Sequence, residues 1–260
     1  MGRRGGMAAV KGREIRLSTD TGFLKLIAMV SMVMDHAGKM FFPQLGWMRI
    51  VGRLAFPIYA YCVAAGCVYT RNPLRYALRV LGLALISQPV YCLALAHVSG
   101  TMNAAVQNGI ALTGAVTWFV ESMKNANILF TLLAGILLIG SLREKKYILA
   151  GLMTWLVWYT DSYINYGWEG VALMVLFYAF IDQPLTSLCW VGGFMLWWAG
   201  RSGGTYQLFM FRYSIQIFAL LALPLIYIPT KTGARLPKWA FYLFYPLHLA
   251  VIYLLLQMGV

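Results

Sequence analysis

The sequence predicts an all-α fold, a polytopic membrane bundle of about nine transmembrane helices. Composition is the first reason: 61% of the 260 residues are hydrophobic and only 11% are charged, against about 25% charged residues in soluble domains. Apolar segments also recur along the whole chain, and the positive charge, a formal net charge of +13, concentrates in alternate connections between them. This composition excludes intrinsic disorder, a fibrous repeat and a nucleic-acid-binding domain of the usual kind.

Each predicted helix is an apolar run bounded by polar or basic residues. The first run is interrupted by Asp35 and His36. The fourth to seventh runs are shorter than the roughly 20 residues that cross about 30 Å of hydrocarbon, so their polar ends must reach the interface. In order, the runs are Phe23–Phe42, Ile50–Tyr69, Tyr76–Ala96, Ile128–Leu142, Tyr147–Tyr159, Trp168–Ile181, Leu185–Ala199, Tyr206–Ile228 and Ala240–Met258.

The basic residues predict that the amino terminus lies inside and the carboxy terminus outside. Cytoplasmic connections are enriched in Lys and Arg, and the outer connection from Asp161 to Glu169 has two acids and no base. The outer segments hold only Lys39, Arg49, Lys124 and Arg201. The inner segments hold Arg3, Arg4, Lys11, Arg13, Arg16, Arg71, Arg75, Arg79, Arg143, Lys145, Lys146, Lys231, Arg235 and Lys238.

Two segments flank or interrupt the bundle. Residues 1–21 form a basic cytoplasmic tail, and residues 22–260 form a single transmembrane domain. Within that domain, residues 97–126 are expected to be an insertion on the outer side. Their apolar run, Ile110–Val120, is short and rich in Gly and Thr, so a re-entrant segment or an interfacial helix is favoured over a tenth crossing.

Metal and disulfide chemistry are not expected. The four cysteines lie in apolar stretches, without a CxxC pair or a histidine at metal-ligand spacing, and we interpret them as reduced thiols. They are Cys62, Cys67, Cys92 and Cys189. The chain also has no HExxH, GxSxG, Walker or GxGxxG motif in a usable context, so hydrolase, nucleotide-hydrolysing and Rossmann functions have no support.

Asp35, His36, Arg53 and His248 are polar groups inside predicted spans, where a charge costs at least about 2.5–3.5 kcal/mol. Adjacent helix positions point about 100° apart, so one of Asp35 and His36 would line a cavity while the other contacts a neighbouring helix. Histidine suits a general base or a proton shuttle, and Arg53 is a candidate partner for Asp35. Structural pairing between helices is the alternative explanation for all four residues.

Arg71, Arg75 and Arg79 recur every four residues at the inner end of the third predicted helix. This spacing stacks their guanidinium groups on one face, which suits phosphate binding. Asn72, before Pro73, is a candidate helix cap. Anchoring of the same arginines to lipid headgroups explains the pattern equally well.

Seven sequence blocks together resemble the TraX family, which is named for a pilin acetylase of conjugative plasmids. The resemblance extends from about Gly22 to the carboxy terminus. The blocks, in order, are DHAGKMFF (35–42), GRLAFPIYAY (52–61), TRNPLRYALRV (70–80), ISQP (86–89), NILFTLLAG (127–135), NYGWEGV (165–171) and FYPLHL (244–249).

The resemblance implies a multi-pass acetyltransferase of the bacterial inner membrane, within the transmembrane acyltransferase superfamily. Acetyl-CoA from the cytoplasm would be the donor, with no metal, and the acceptor would be an amine or hydroxyl at the outer side, on a pilin amino terminus or a small molecule. By motif, His36 would be the catalytic base and Asp35 its companion. The donor pocket or its walls would contain Arg53, Arg71, Asn72, Asn127 and His248.

The residues themselves are compatible with this chemistry. The phosphates of CoA would bind the face formed by Arg71, Arg75 and Arg79, and Arg53 or Asn127 would stabilise the oxyanion. Direct transfer in a ternary complex is preferred over an acetyl-histidine intermediate. The lipid bilayer is the other expected partner, and nucleic acid is not one.

Two further functions remain open from the residues alone. A proton-coupled small-molecule transporter or flippase would use Asp35, His36 and Arg53 as its gate, although the inverted repeats common in transporters are not visible in this sequence. In a scaffold subunit, the same polar residues would only hold helices together.

Overall fold

The chain folds into a helical bundle with one small β-hairpin. The structure is a computed structural model and describes residues 14–95, 112–204, 206–208, 211–234 and 237–258. The α-helices are α1 (Thr21–Met40), α2 (Gly46–Gly52), α3 (Ala55–Tyr69), α4 (Pro73–Ala94), α5 (Leu112–Ser122), α6 (Ile128–Arg143), α7 (Tyr147–Tyr159), α8 (Gly167–Ala179), α9 (Pro184–Arg201), α10 (Leu223–Tyr227) and α11 (Lys238–Gln257). Short 3₁₀ segments occupy Met123–Asn125, Asp161–Tyr163 and Ile215–Ala222.

Side-chain caps set the start of several helices. Asp20, Asn72 and Asn127 each accept a hydrogen bond from a backbone N–H in the first turn of α1, α4 and α6, respectively. Pro73 follows Asn72 at the first helical position, where a missing N–H costs nothing. The predicted capping role of Asn72 is therefore confirmed.

Helix α3 lies at the centre of the bundle and is buried on all sides, with Ile58 and Tyr61 fully enclosed. Helices α1, α6 and α8 pack around it. The peripheral helices expose large apolar side chains, as in α7, where Ile148 is 92% exposed. Along α11, the exposed stripe consists of Trp239, Leu243, Leu247, Val251 and Leu254. So much exposed apolar surface needs lipid around it, which agrees with a membrane protein.

Helix lengths bear on the predicted spans. Within the described residues, three segments are long and apolar enough to cross a bilayer: Gly46–Tyr69, Pro73–Ala94 and Trp239–Gln257. Shorter apolar helices coincide with the fourth, fifth and sixth predicted runs. The all-α fold is confirmed, whereas the nine-span count and the orientation stay predictions.

The predicted span Tyr206–Ile228 is not a single helix. Its first part is an antiparallel hairpin in which Tyr206 pairs with Tyr213, and the rest is the 3₁₀ segment followed by α10. Gln207 and Arg212 pair with each other across the two strands, although four apolar residues separate them in the sequence. The segment lacks the strict alternation of polar and apolar residues that identifies a strand, so its hydrophobicity favoured a span.

The predicted span Ile50–Tyr69 is interrupted at Arg53, between α2 and α3. Pro57 lies four residues after Arg53 and cannot donate a helical hydrogen bond to its carbonyl. The interruption therefore has a local cause, and it places the Arg53 side chain at the junction of two helices.

The ends of the predicted tail and of the predicted insertion are partly described. Ile15 and Leu17 are buried, and the Tyr61 hydroxyl donates to the Ser18 carbonyl at 2.5 Å, so this part of the chain packs into the bundle. Helix α5 has 11 residues and spans about 16 Å, too short to cross the hydrocarbon. Residues 97–111 of the insertion lie outside the described residues.

Candidate active site

A cavity of about 340 Å³ lies between α1, α3, α4, α6 and α11. On α4 its lining begins at Leu83 and ends at Leu95, a length of about 18 Å along the helix axis. Its polar lining residues are Asp35, His36, Lys39, Arg49, Arg53, Tyr59, Tyr91, Asn165, Tyr166 and Tyr245.

Both Asp35 and His36 line this cavity, contrary to the expectation that only one of them would. Met32, Asp35, His36 and Lys39 follow the i, i+3, i+4, i+7 spacing of one helix face, and all four are lining residues. The adjacent pair straddles the middle of that face. As a result, Asp35 reaches α2 and the α2–α3 junction, while His36 reaches α11.

Asp35 is held by two arginines. Its Oδ1 lies 2.5 Å from Nη2 of Arg53 and 3.0 Å from Nη1 of Arg49. The side chains of Asp35 and Arg53 are only 15% and 11% exposed. A second contact orients Arg53, because its Nη1 donates to Oε1 of Gln216 at 3.5 Å. The predicted pairing of Asp35 with Arg53 is therefore present.

Gly52 allows this ion pair to form. A Cβ atom at Gly52 would overlap the Cβ and carboxylate of Asp35. The close approach of α2 to α1 thus requires the absence of a side chain at this position. Gly52 is itself a lining residue.

His36 and His248 form a hydrogen-bonded pair. Nδ1 of His36 lies 3.0 Å from Nε2 of His248, and Nδ1 of His248 lies 2.9 Å from the Phe244 carbonyl oxygen. Because a carbonyl only accepts, Nδ1 of His248 must carry the proton, so its Nε2 is an acceptor when the ring is neutral. His36 therefore donates from Nδ1 and keeps the lone pair on Nε2, the form that a general base needs.

The α8 side of the cavity is rigid. Asn165 donates to the Tyr91 hydroxyl at 2.8 Å and to the Ala126 carbonyl at 3.0 Å. Tyr166 has a left-handed backbone (φ 63°) and stacks on Phe56 at 4.0 Å between ring centroids. A tyrosine in this conformation is strained, and the stack holds its ring against the cavity.

Arg71, Arg75 and Arg79 are exposed and lie outside the cavity lining. Arg75 and Arg79 continue along α4 from its lining residues, since Arg79 is one turn before Leu83. Arg75 and Arg79 are one turn apart on α4 and share a face. Arg71 lies before the cap Asn72 and outside the helix, so the predicted stack of three arginines on one helical face is wrong for Arg71.

Asn127 is fully buried and does not line the cavity. Its Nδ2 donates to the Ala84 carbonyl at 2.9 Å and to Oε1 of Gln88 at 2.8 Å, while its Oδ1 caps α6. These bonds join α4 to α6. A role for Asn127 in the donor pocket stays a prediction.

Several lining residues were missed from the sequence. Lys39 and Arg49 were predicted to lie in outer segments. Asn165 and Tyr166 had no predicted role, although both lie in the sixth block that resembles the TraX family. The hydroxyl and amide side chains near the middle of the sequence follow no spacing that would have identified them as lining residues. In the described residues, no three His, Cys, Asp or Glu side chains come together as a metal site.

Comparison with known proteins adds to this picture. A family model described as "TraX protein" matches residues 20–256. The "Probable fimbrial assembly protein FimC, serogroup H1" of Dichelobacter nodosus is 26% identical over 244 residues, covering 88% of this chain and 92% of the relative. An uncharacterised protein of Rickettsia prowazekii (strain Madrid E) is 40% identical over 50 residues, 19% of each chain. No solved structure matches this chain.

Proposed function

The chain belongs to the TraX family, whose model matches residues 20–256, and on this basis we propose that it is a membrane-embedded acetyltransferase. It takes acetyl from cytoplasmic acetyl-CoA and transfers it to an amine or hydroxyl at the outer side of the bacterial inner membrane. The observation that carries this proposal is the pairing of His36 with His248. His36 lines the cavity, and its Nε2 has no hydrogen-bond partner among the described residues.

The chemical step is direct acyl transfer. The acceptor nitrogen or oxygen attacks the thioester carbonyl, and Nε2 of His36 takes the proton that the nucleophile loses. The tetrahedral intermediate then collapses, the C–S bond breaks, and the CoA thiolate leaves, taking up a proton from His36 or water. His248 holds the His36 ring in the reactive tautomer throughout, and no acyl-enzyme is needed.

The charges of the cavity favour this reaction. Lys39, Arg49 and Arg53 outnumber the single acid Asp35. A positive environment disfavours a bound ammonium and favours the neutral amine, which is the nucleophile. It also stabilises the oxyanion and the thiolate that form along the path.

The donor would enter from the arginine end of the cavity. The phosphates of CoA would bind Arg71, Arg75 and Arg79. The flexible pantetheine arm would then follow α4 past Leu83 towards His36. A length of about 18 Å from Leu83 to Leu95 is comparable with the extended arm.

The acceptor is proposed to be the amino terminus of a pilin-type subunit. Two comparisons support this acceptor: the family is associated with pilin acetylation, and the Dichelobacter nodosus relative is named as a probable fimbrial assembly protein. A small-molecule acceptor would use the same chemistry, so the acceptor class requires direct assay.

The test combines binding and transfer with detergent-purified protein. Calorimetry should detect acetyl-CoA binding, and label from acetyl-CoA should appear on an amino-terminal pilin peptide. His36→Gln should bind acetyl-CoA as the wild type does and lose at least about 100-fold in transfer rate. Val30→Ala on the lipid-facing side of α1 is the control and should be fully active.

Two results would contradict the proposal. Absence of acetyl-CoA binding by the wild type would refute the donor, and full activity of His36→Gln would refute the base. Proton-dependent solute movement in vesicles without any acyl donor would instead support the transporter.

A further inference from the structure

The lining of the cavity has more positive charge than the chain can neutralise. Asp35 is its only acid among the described lining residues, against Lys39, Arg49 and Arg53. With neutral histidines, three bases and one acid leave a formal charge of +2. A partly buried excess of this kind is costly unless an anion compensates it.

No acidic side chain elsewhere in the chain is available to compensate it. The chain has eight Asp and Glu residues, and residues 96–111, which follow the cavity on the chain, contain none. The other seven acids lie outside the cavity lining, and three of them pair with Lys124, Lys146 and Arg201. The compensating anion is therefore not one of the acidic side chains of the chain.

The three bases form a series from the surface inwards. Lys39 is exposed, the Arg49 side chain is 29% exposed and the Arg53 side chain is 11% exposed. Lys39 uses one N–H on the Leu95 carbonyl, at 3.1 Å. Arg49 contacts Asp35 through Nη1, and within the described residues its Nε and Nη2 make no hydrogen bond. N–H donors of Lys39 and Arg49 thus remain available at the surface end of this series, which is the entrance of the cavity.

This entrance is distinct from the donor end. Lys39 contacts Leu95, whereas the arginines proposed to bind the donor precede Leu83 in the chain. About 18 Å of α4 separates these two levels. An anion at Lys39 and Arg49 would therefore belong to the second substrate and not to the phosphates of CoA.

We propose that the acceptor carries a carboxylate that binds Lys39 and Arg49 at the entrance of the cavity. The assignment of this anion to the acceptor rests on the proposed function, whereas the anion site itself rests only on the charges of the cavity lining. Lys39 follows His36 by three residues, so the two side chains are about one helical turn apart, near 5 Å. The carboxylate therefore lies within the first few residues of the acceptor, close to the reacting amine.

Two short peptides test this inference. Ala-Glu-Ala amide and Ala-Gln-Ala amide, each with a dye at the carboxy end, differ only in the charge. We expect wild-type protein in detergent to bind the Glu peptide about tenfold more tightly, in fluorescence polarisation. Lys39→Met should remove that preference and Lys39→Arg should retain it. Lys124→Met, an exposed lysine outside the cavity, should leave it unchanged.

The outcomes separate the inference from the proposed function. Equal binding of the two peptides, or binding of neither, overturns the anion site, even if the enzyme transfers acetyl. A Lys39-dependent preference without any transfer from acetyl-CoA supports the anion site and counts against the acetyltransferase. Lys39-dependent binding of short-chain phosphatidylglycerol, without discrimination between the peptides, would assign the site to a lipid headgroup and overturn the acceptor carboxylate.

Acetyl-CoA binding by Lys39→Met, measured in parallel, serves as the test of folding. Because Lys39 lies away from the arginine end, this binding should match the wild type. The transfer kinetics add one more readout: Lys39→Met should raise KM for the Glu peptide by a larger factor than KM for the Gln peptide.

Discussion

Nδ1 of His36 lies 3.0 Å from Nε2 of His248, although 212 residues separate them along the chain. The Phe244 carbonyl fixes the proton on the far side of His248, and this choice propagates to His36. One backbone carbonyl on α11 thereby determines which ring nitrogen of His36, on α1, carries the proton when both rings are neutral.

His248 should act as a positioning residue, and its conservative replacement should show this. In His248→Gln, the amide oxygen can still accept from Nδ1 of His36, so we expect a kcat within about tenfold of wild type. His248→Leu removes the acceptor and should lower kcat by about 100-fold, with KM for acetyl-CoA unchanged. Equal losses in both variants would mean that His248 contributes only to packing.

Removal of one partner from the Asp35–Arg53 pair should destabilise the protein strongly. Asp35→Asn leaves the partly buried Arg53 without its acid, which costs about 3–5 kcal/mol. Arg53→Met should cost less, because Asp35 keeps Arg49 as a partner. The double variant should lose less than the sum of the two, by about 1–3 kcal/mol. Denaturant titration of purified protein in detergent measures these values.

The exposed pair of Glu121 and Lys124 provides the matched control. Their side chains are 42% and 62% exposed, and a solvated pair of this kind should show a coupling below about 1 kcal/mol. Comparable coupling in the two cycles would contradict the claim that burial makes the Asp35 pair important.

The arginines of α4 should affect only donors that carry phosphates. Arg79→Met should raise KM for acetyl-CoA about tenfold, because a charge-assisted hydrogen bond contributes about 1.5 kcal/mol. KM for acetyl-pantetheine, which lacks the adenosine phosphates, should stay the same. Lys231→Met, another exposed base on the predicted inner side, should change neither. An equal effect on both donors would point to a structural role for Arg79.

Gly52→Ala should disturb the site without changing any charge. The added methyl would displace the Asp35 side chain, so we expect a loss of at least about 1–3 kcal/mol in stability together with lower transfer activity. Gly82→Ala on α4 is the control, because nothing lies within 4 Å of its added Cβ and alanine favours a helix. Wild-type stability and activity of Gly52→Ala would contradict this prediction, because α1 and α2 could then separate at no cost.

Asp20 should make stability depend on pH. The Thr232 hydroxyl and N–H both donate to its Oδ2, each at 2.7 Å, and these bonds lower the pKa of the carboxyl group. A lowered pKa in the folded state means that the ionised form stabilises the fold above the unfolded value of about 3.9, and that this contribution disappears as the pH falls.

Asp20→Asn should therefore be less stable than the wild type at pH 7, and the difference should shrink as the pH falls below the unfolded value of about 3.9. Thermal unfolding in detergent across this range measures it. Thr232→Val, which removes the hydroxyl donor, should reduce the pH dependence. A difference between Asp20→Asn and wild type that stays constant from pH 7 to pH 3 would exclude this linkage.

Local patterns predicted most helices to within a few residues of their ends. The runs that begin at Ile128 and Tyr147 coincide with the starts of α6 and α7, since a contiguous apolar segment that must satisfy its own backbone can only be helical in lipid. Asn72 and Pro73 likewise mark the start of α4, because a cap depends only on neighbouring residues.

Two predicted spans are not single helices, and the high average hydrophobicity of each segment concealed this in the sequence. From Tyr206 to Tyr213 only Gln207 and Arg212 interrupt an apolar run, so the local hydrophobicity suggested a span where two strands form. Pro57 interrupts a run that looked continuous. The two segments meet where Nη1 of Arg53 donates to Oε1 of Gln216.

The sequence by itself determined that this is an apolar, basic, helical protein, and it identified Asp35, His36, Arg53 and His248 as residues that need an explanation. It also proposed Arg53 as the partner of Asp35, which is confirmed, whereas the contacts of Asp35 with Arg49 and of His36 with His248 were not expected. Only the tertiary structure decided these partners, because the side of a helix that a residue faces is local, but the helix that lies opposite is set by the packing of the whole bundle.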